Sequence, residues 1–181
     1  MFQTRVNSLF ERADLIEMRL CVLLNNSSRY TYIRLFFRVV SRLGDGMFWH
    51  ALAVFLPYLH GKQGVAEAVH ILITGLLVLG TYKFLKSRLV RERPFISNNI
   101  IKQAAPALDQ YSFPSGHTMH AFSFAILFSY FLPELTSVVW GFAGLVAMSR
   151  VILGLHYPTD VVAGALLGSC LSVLSLLIMT G

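Results

Sequence analysis

Residues 149–160 read Ser-Arg-Val-Ile-Leu-Gly-Leu-His-Tyr-Pro-Thr-Asp, and they separate two apolar runs, 137–153 and 161–179. This stretch places Arg150, His156 and Asp160 at the edge of a membrane or of a deep core. Ionisable groups at such a depth are costly to keep, so they indicate a functional site by default. We therefore expect two apolar helices with a site at the turn between them.

Two further polar segments lie upstream of this turn. Residues 86–94 read Lys-Ser-Arg-Leu-Val-Arg-Glu-Arg-Pro, and residues 113–117 read Phe-Pro-Ser-Gly-His. Arginine binds phosphate oxygens in pairs and lysine acts as a point charge. A helix that begins at Pro-Ser-Gly offers free backbone N–H groups to an anion. We expect the three segments to form one anion site, with the candidate residues Lys86, Arg93, Ser115, Gly116, His117, Arg150, His156 and Asp160.

The composition indicates a membrane protein of one domain. The chain has 181 residues, of which 55% are hydrophobic and 13% are charged, whereas globular chains carry roughly 25% charged residues. The net charge of +6 suggests contact with membrane lipids or an anionic substrate. Nucleic acid is disfavoured as a partner, because the basic residues are interleaved with long apolar runs. Cys21 and Cys170 do not suggest a disulfide framework.

The predicted fold is an all-α integral membrane bundle of about five transmembrane helices preceded by N-terminal amphipathic helices. Residues 1–45 would form the amphipathic helices and residues 46–181 the transmembrane core. Arg34, Arg38 and Arg42 form one face of the second amphipathic helix, which would lie along the membrane surface or pack on the protein's own core. The expected spans are 47–59, 65–85, 118–132, 137–153 and 161–179.

Counting these spans places the three polar segments on one face of the bilayer. His156 and His117 would supply two imidazoles that work near neutral pH. Asp160, four residues after His156, would accept a ring N–H and fix the tautomer of a nucleophilic histidine. Plainer interpretations exist for single residues: Lys86 as a snorkelling side chain, Ser115 as a helix cap and His117 as an interfacial histidine. Their joint placement on one face favours the site.

The spacing resembles the three-part signature of the type 2 phosphatidic acid phosphatase superfamily. The matching residues are Lys86-x6-Arg93-Pro94, then Pro114-Ser115-Gly116-His117, then Ser149-Arg150-x5-His156-x3-Asp160. All three parts occur in order, whereas residues 1–45 carry none of the signature.

The resemblance implies a role for each candidate residue. His156 would attack phosphorus to form a phosphohistidine, Asp160 would orient it, and His117 would protonate the leaving oxygen. The cations Lys86, Arg93 and Arg150, with Ser115 and the Gly116 backbone, would hold the phosphoryl oxygens. No metal or other cofactor is expected, because cations and N–H groups would supply the electrostatic stabilisation.

The resemblance further suggests a lipid substrate, with undecaprenyl pyrophosphate as the first choice and phosphatidylglycerol phosphate or phosphatidic acid as alternatives. It also suggests a multi-pass protein of a bacterial inner (plasma) membrane. The site could face either side of the membrane, and this question remains open. Lysines and arginines concentrate on the active-site side, which favours the cytoplasm, whereas the family's undecaprenyl pyrophosphate enzymes are expected to act on the outer face. The oligomeric state is also open.

Two other function classes compete with a phosphatase. Vanadate-dependent haloperoxidases are similar in signature, but they are soluble and the expected spans argue against them. A lipid-phosphate binding or transport protein would use the same anion site without turnover. The intact pair of His156 and Asp160 disfavours that alternative, because binding alone does not need an oriented nucleophile.

Overall fold

The computed structural model describes residues 15–107 and 109–180, and over these residues the protein is built from helices without strands. Predictions that fall on residues 1–14 lie outside the described part. In chain order the elements are α1 (15–26), a 3-10 turn Ser27–Arg29, α2 (Thr31–Arg42), a π-helical turn Leu43–Met47, α3 (Phe48–Arg88), α4 (Pro94–Ser97), α5 (Gly116–Phe131), a 3-10 turn Pro133–Leu135, α6 (Thr136–Ile152) and α7 (Pro158–Thr180).

The length of the apolar helical segments supports the prediction of an integral membrane protein. Three described segments are long and apolar enough to cross a membrane: Thr31–Arg88, Pro133–Ile152 and Pro158–Thr180. A span needs about 20 apolar residues. Many large apolar side chains on these segments point away from the protein, among them Leu77 and Ile178, as lipid-facing side chains do. The chain is thus an all-helical membrane protein, and the number of about five spans stays a prediction.

Helix α3 is a hairpin of two arms. The backbone leaves helical geometry at Gly61, whose φ of 58° lies in the left-handed region that favours glycine. A side chain on Gly64 would collide with the backbone of Leu56. Eight residues of straight helix would hold these positions about 12 Å apart, so the second arm folds back along the first. The reversal lies between the two expected spans 47–59 and 65–85.

Helix α5 lies at the centre of the bundle. Trp49 from α3 and Val146 from α6 pack around its buried Phe124 and Phe128. Helix α7 approaches the backbone of α5 so closely that a side chain at Gly168 would overlap Met119. The small residues of the 161–179 run therefore serve close helix packing.

The helix connections alternate between two ends of the bundle. At one end a cavity gathers His60 and Glu67 from the α3 reversal, Tyr130 from the end of α5 and Met179 from the end of α7. The three polar segments lie at the other end, where α3 stops, α5 starts and α6 leads into α7. The expected convergence of these segments is therefore present in the fold.

The two N-terminal helices pack on the end that holds the polar segments. The apolar side chains of α2 are divided between two environments, because Phe37 and Val40 are buried while Phe36 is exposed. Arg38 donates to the backbone oxygen of Ala104. Helix α2 thus packs on the protein's own core, which is the second of the two interpretations. An orientation along the membrane surface stays a prediction.

Candidate active site

The eight predicted residues come from five places in the fold. The end of α3, the loop before α4, the start of α5, the end of α6 and the turn into α7 each contribute to one buried cluster. Seven of the eight are buried: Gly116 and six residues with the exposed fractions Lys86 7%, Arg93 2%, Ser115 0%, Arg150 3%, His156 2% and Asp160 0%. Burying several charges together is unfavourable unless they are paired or bind a ligand. The cluster is therefore a candidate active site.

The turn between α6 and α7 aims His156 at the cations. The backbone N–H of His156 donates to the Arg150 oxygen at 3.1 Å. Gly154 has a φ of 75°, and a side chain there would collide with the backbone oxygen of Lys102. Arg93 clamps the turn by donating from Nη1 to the Leu155 oxygen at 2.7 Å, and the same nitrogen lies 3.4 Å from His156 Nε2.

Burial lowers the pKa of His156 well below its ordinary value, and the charges of Arg150, Arg93 and Lys86 lower it further. The imidazole is therefore neutral, as a nucleophile must be. Its Nδ1 atom has no hydrogen-bond partner among the described residues. That atom lies 3.7 Å from Asp160 Oδ2, slightly beyond hydrogen-bond length. A small movement of the His156 ring would therefore form the predicted hydrogen bond by which Asp160 orients it.

Asp160 is fixed by two donors. Its Oδ2 accepts the backbone N–H of Tyr157 at 2.8 Å, and its Oδ1 accepts Arg91 Nη1 at 2.7 Å. The Asp160 backbone oxygen in turn accepts the Ser115 N–H at 3.0 Å. Asp160 thereby joins the start of α7 to the start of α5 and leaves one oxygen facing His156.

A carboxylate binds two of the three predicted phosphate-binding cations. Asp109 Oδ1 lies 2.8 Å from Lys86 Nζ and 2.7 Å from Arg93 Nη2. Tyr82 donates its hydroxyl to the other oxygen. Burial alone would raise the pKa of Asp109, yet hydrogen bonds from Lys86 and Tyr82 and the charges of Lys86 and Arg93 hold it below the usual range. The carboxylate shows that this place accommodates an anion.

Arg150 completes the cation set from the side of α6. Its Nη1 atom donates to Ser41 Oγ on α2. Its Nε atom is buried and has no hydrogen-bond partner within the described part of the chain. A buried guanidinium N–H left unpaired is costly, so Arg150 retains a donor for an incoming anion.

The start of α5 holds His117, the predicted acid. His117 Nε2 contacts Asp45 Oδ1 from the turn before α3. Asp45 does not cap α3, because the N-cap residue of that helix is Met47 and no side chain caps it. His120, one turn later, bonds the Gly116 oxygen at 3.0 Å within its own helix.

The residues before His117 are held by protein contacts. Ser115 Oγ bonds Thr118 Oγ1 at 2.9 Å. The backbone of α5 approaches the ring of Tyr82 so closely at Gly116 that a side chain there would collide with it. Both residues lie at the N-terminus of α5, where backbone N–H groups and the helix dipole favour an anion.

An apolar cavity leads away from the acid. It has a volume of about 330 Å³ and lies between the two arms of α3 and helix α5. Asp45 and His117 line its polar end, and Trp49, Leu72 and Leu76 are among the apolar side chains along it. Its lining suits a hydrocarbon chain attached to a group at the polar end.

Reasoning from the sequence missed several residues that contact the eight. Asp45, Asp109 and Tyr82 contact the acid or the cations, Ser41 contacts Arg150, and Glu17 and Arg91 form a network with Asp160. The sequence signal for Arg91 was its place in the polar segment 86–94, and Glu17, Asp45 and Asp109 carried no signal beyond their charge. Among the described residues there is no group of three or more metal-ligating side chains that could hold a metal ion.

Comparisons with known proteins agree with the geometry. The chain is 36% identical over 121 residues to an undecaprenyl-diphosphatase of Sulfolobus acidocaldarius, covering 63% of this chain and 54% of the relative. It is 37% identical over 108 residues to phosphatidylglycerophosphatase B of Bacillus subtilis, covering 51% of this chain and 50% of the relative. The chain thus spans about half the length of these curated relatives.

Two solved structures share the fold. The crystal structure of Aquifex aeolicus LpxE superimposes with a TM-score of 0.75 at 28% identity, over 87% of this chain and 93% of that one. The PAP2-type phosphatidylglycerolphosphate phosphatase of Bacillus subtilis gives a TM-score of 0.75 at 24% identity, over 91% and 84%. The family model of the PAP2 superfamily matches residues 65–181. With that match and the signature residues gathered at one end of the bundle, the chain belongs to the PAP2 superfamily.

Proposed function

We propose that this protein is a metal-independent lipid phosphatase, acting on a phosphate or pyrophosphate group through a phosphohistidine on His156. The observation that carries the proposal is the placement of a neutral, buried His156 with Nε2 3.4 Å from Arg93 Nη1. Arg93 belongs to the cation set that already binds the Asp109 carboxylate. A nucleophile beside an anion-binding cluster is the arrangement that phosphoryl transfer requires.

The first step forms a bond from His156 Nε2 to phosphorus and breaks the bond from phosphorus to the leaving oxygen. His117 gives its proton to that oxygen, and Asp160 stabilises the positive charge that develops on the His156 ring. Lys86, Arg93 and Arg150 stabilise the charge on the equatorial oxygens. In the second step water attacks phosphorus, its proton passes to His117, and the P–N bond breaks to regenerate neutral His156.

The pair formed by Asp45 and His117 supports the assignment of the acid. Burial and the charge of Arg150 lower the pKa of His117 to about 4, and the Asp45 carboxylate offsets part of that shift by favouring the protonated form. His117 also stands where the polar cluster meets the apolar cavity. A leaving oxygen on a lipid would lie between the cations and the cavity, within reach of this proton.

The cavity supports a lipid as the substrate. A chain lying between the α3 arms and α5 would keep its phosphate at the level of the cations. Undecaprenyl pyrophosphate is the substrate we propose first, because a relative 36% identical carries the name undecaprenyl-diphosphatase. Phosphatidylglycerol phosphate is the principal alternative, favoured by the relative named phosphatidylglycerophosphatase B. Phosphatidic acid stays a further alternative.

The test measures phosphate released by the purified protein in detergent with a chelator present. The panel comprises undecaprenyl pyrophosphate, phosphatidylglycerol phosphate, phosphatidic acid and a soluble phosphate ester. We expect chelator-resistant release with one lipid preferred. His156→Ala should abolish release while binding of inorganic phosphate survives. Retained turnover in that variant would remove His156 from its role, and no release by the unaltered protein from any substrate would favour lipid-phosphate binding or transport.

We also propose that the site faces the cytoplasm of a bacterial inner membrane. The end of the bundle that holds the site carries most lysines and arginines, whereas Lys62 lies next to the reversal at the opposite end. Positive residues concentrate on the cytoplasmic side. The chain ends on the side opposite the site if all five expected spans cross. A reporter active only in the cytoplasm, fused after residue 181, should then stay silent, and an active reporter would reverse the proposed facing.

A further inference from the structure

Helix α1 is amphipathic with the polar face turned inward. Its buried residues are Glu17, Cys21 and Asn25, which are 7%, 1% and 3% exposed. The apolar residues Leu15, Ile16, Leu20, Leu23 and Leu24 are exposed instead. Burying an ionisable and an amide side chain is unfavourable without specific partners. The contacts of Glu17 and Asn25 should therefore explain why α1 docks in this way.

Asn25 attaches α1 to the turn that precedes the nucleophile. Its Nδ2 atom donates to the Ile152 oxygen at 3.0 Å and to the Lys102 oxygen at 2.9 Å. Its Oδ1 atom accepts the Lys102 N–H at 2.8 Å. All hydrogen-bonding atoms of the side-chain amide are thereby used on backbone groups. This contact is structural, and it fixes the position of α1 along its axis, so that Glu17, two turns earlier, meets the start of α7.

Glu17 meets the elements that hold Asp160. Its Oε1 accepts the backbone N–H of Thr159 at 2.8 Å and also the Thr159 hydroxyl. Its Oε2 accepts Arg91 Nη2 at 2.7 Å. The second fork nitrogen of the same Arg91 donates to Asp160 Oδ1 at 2.7 Å. One guanidinium therefore links a carboxylate on α1 to the carboxylate that faces His156.

Arg91 is held in one orientation by the whole cluster. Its guanidinium lies 3.9 Å from the centre of the Tyr157 ring, and its Nη1 also donates to Thr159 Oγ1 at 2.8 Å. Burial would lower the pKa of Arg91, but the charges of Asp160 and Glu17 and their hydrogen bonds raise it. Arg91 therefore stays charged. Cys21 also faces this cluster, and burial together with the charges of Glu17 and Asp160 raises its pKa to about 12, so the thiol is neutral.

We propose that Glu17 and Arg91 are positioning residues for Asp160 in the reaction proposed above for His156. Arg91 alone would neutralise Asp160 and weaken its support for a positively charged His156 ring. Glu17 shares the guanidinium, so that the cluster of Asp160, Arg91 and Glu17 keeps one net negative charge. That charge stabilises the phosphohistidine while the fork of Arg91 fixes the orientation of the Asp160 oxygens.

The experiment compares Glu17→Gln with Glu92→Gln. Glutamine keeps the size of Glu17 and an oxygen for the Thr159 N–H but removes the charge. Glu92 is exposed and adjoins Arg91, so its variant is a matched control. In Glu17→Gln we expect kcat to fall roughly tenfold with KM little changed, as for other residues that orient a catalytic ligand. The phosphohistidine trapped by quenching turnover in alkaline detergent, where the P–N bond is stable, should fall as well, and Glu92→Gln should leave both readouts unchanged.

Two more variants separate charge from architecture. Arg91→Lys keeps the charge but loses the fork, and Arg88→Lys on an exposed residue is its control. The double variant Glu17→Gln with Arg91→Lys should lose less activity than the product of the two single losses, because both act through Asp160. Thr159→Val removes the contacts of the hydroxyl with Glu17 and Arg91 without changing a charge, so we expect it to lower the melting temperature and to lower kcat less than Glu17→Gln does.

The outcomes are distinguishable. Unchanged kcat and unchanged trapped phosphohistidine in Glu17→Gln would overturn the positioning role. An equal loss of kcat in Thr159→Val and Glu17→Gln would show that Glu17 acts only as a structural cap of α7. That result would also overturn the positioning role. Absence of any trapped phosphohistidine in the unaltered protein, with substrate still hydrolysed, would instead refute the proposed mechanism itself.

Discussion

Asp109→Asn is the substitution that tests how the cation set binds phosphate. In the described structure the Asp109 carboxylate is 30% exposed and contacts Lys86 Nζ and Arg93 Nη2, which belong to side chains only 9% and 2% exposed. A phosphoryl group that binds the same two cations must displace the carboxylate. The asparagine variant removes this competitor without changing the size of the side chain, so phosphate should bind more tightly.

The magnitude follows from the two contacts. A hydrogen bond to a charged group contributes roughly 1.5–3 kcal/mol when buried and less than about 1 kcal/mol when exposed. The partly exposed carboxylate lies between these limits, so its two contacts oppose phosphate binding by about 2 kcal/mol. Because each 1.4 kcal/mol is tenfold in affinity, inorganic phosphate should inhibit the variant at a concentration roughly thirtyfold lower.

The assay is competitive inhibition by inorganic phosphate, combined with thermal unfolding. Without phosphate the variant should melt at a lower temperature, because the buried side chains of Lys86 and Arg93 lose their charged partner. Added phosphate should raise its melting temperature more than that of the unaltered protein. Tyr82→Phe, which removes only the neutral hydrogen bond to Asp109, should show a smaller change. Unchanged or weaker inhibition by phosphate in Asp109→Asn would refute the competition and show that the carboxylate orients the cations in the bound state.

Three other predictions follow from the site. Asp45→Asn should lower kcat about tenfold on a lipid substrate by weakening proton donation from His117, and a soluble ester with a good leaving group should lose far less; equal losses would contradict this. Leu72→Trp should raise KM for lipids but not for soluble esters. Leu77 is 57% exposed, similar to Leu72 at 55%, but it does not line the cavity, so Leu77→Trp should leave KM for lipids unchanged. Because the pKa of His156 is depressed, its neutral form persists below pH 6.5, so kcat/KM should not fall on acidification through that pH; a fall in the unaltered protein that moves to higher pH in the Arg150→Gln variant would contradict this.

Two proximities in the candidate site can be predicted from the sequence, because helices set the spacing of the residues along the chain. His156 and Asp160 lie four residues apart at a helix start, so their proximity follows from local geometry. The meeting of Arg93 with His156 follows from alternating helices, which return the polar segments to one end of the bundle. Both are present in the structure, at 3.7 Å and 3.4 Å.

The contacts that the sequence could not predict depend on packing at long range. Glu17 and Thr159 are 142 residues apart, and no periodicity links them. The pattern of α1 divides apolar from polar residues, but it does not say which face meets the protein, because lipid and protein interior both accept apolar side chains. Asp45 has an ordinary local interpretation as a helix cap, and only the return of α5 beside the Leu43–Met47 turn reveals its partner His117.

The signature residues depend on residues outside the signature for their orientation. Ser41 contacts Arg150, Asp45 contacts His117, and Glu17 reaches Asp160 through Arg91. Each of these supports comes from the N-terminal helices or from the segment that joins α2 to α3. Loss of α1 should therefore slow the chemical step more than it weakens phosphate binding, because α1 reaches Asp160 through Arg91 and makes no hydrogen bond to Lys86, Arg93 or Arg150 in the described structure. A shortened chain that begins at residue 27 would test this: retained inhibition by phosphate with reduced kcat would agree, and equal loss of both would indicate that α1 serves folding alone.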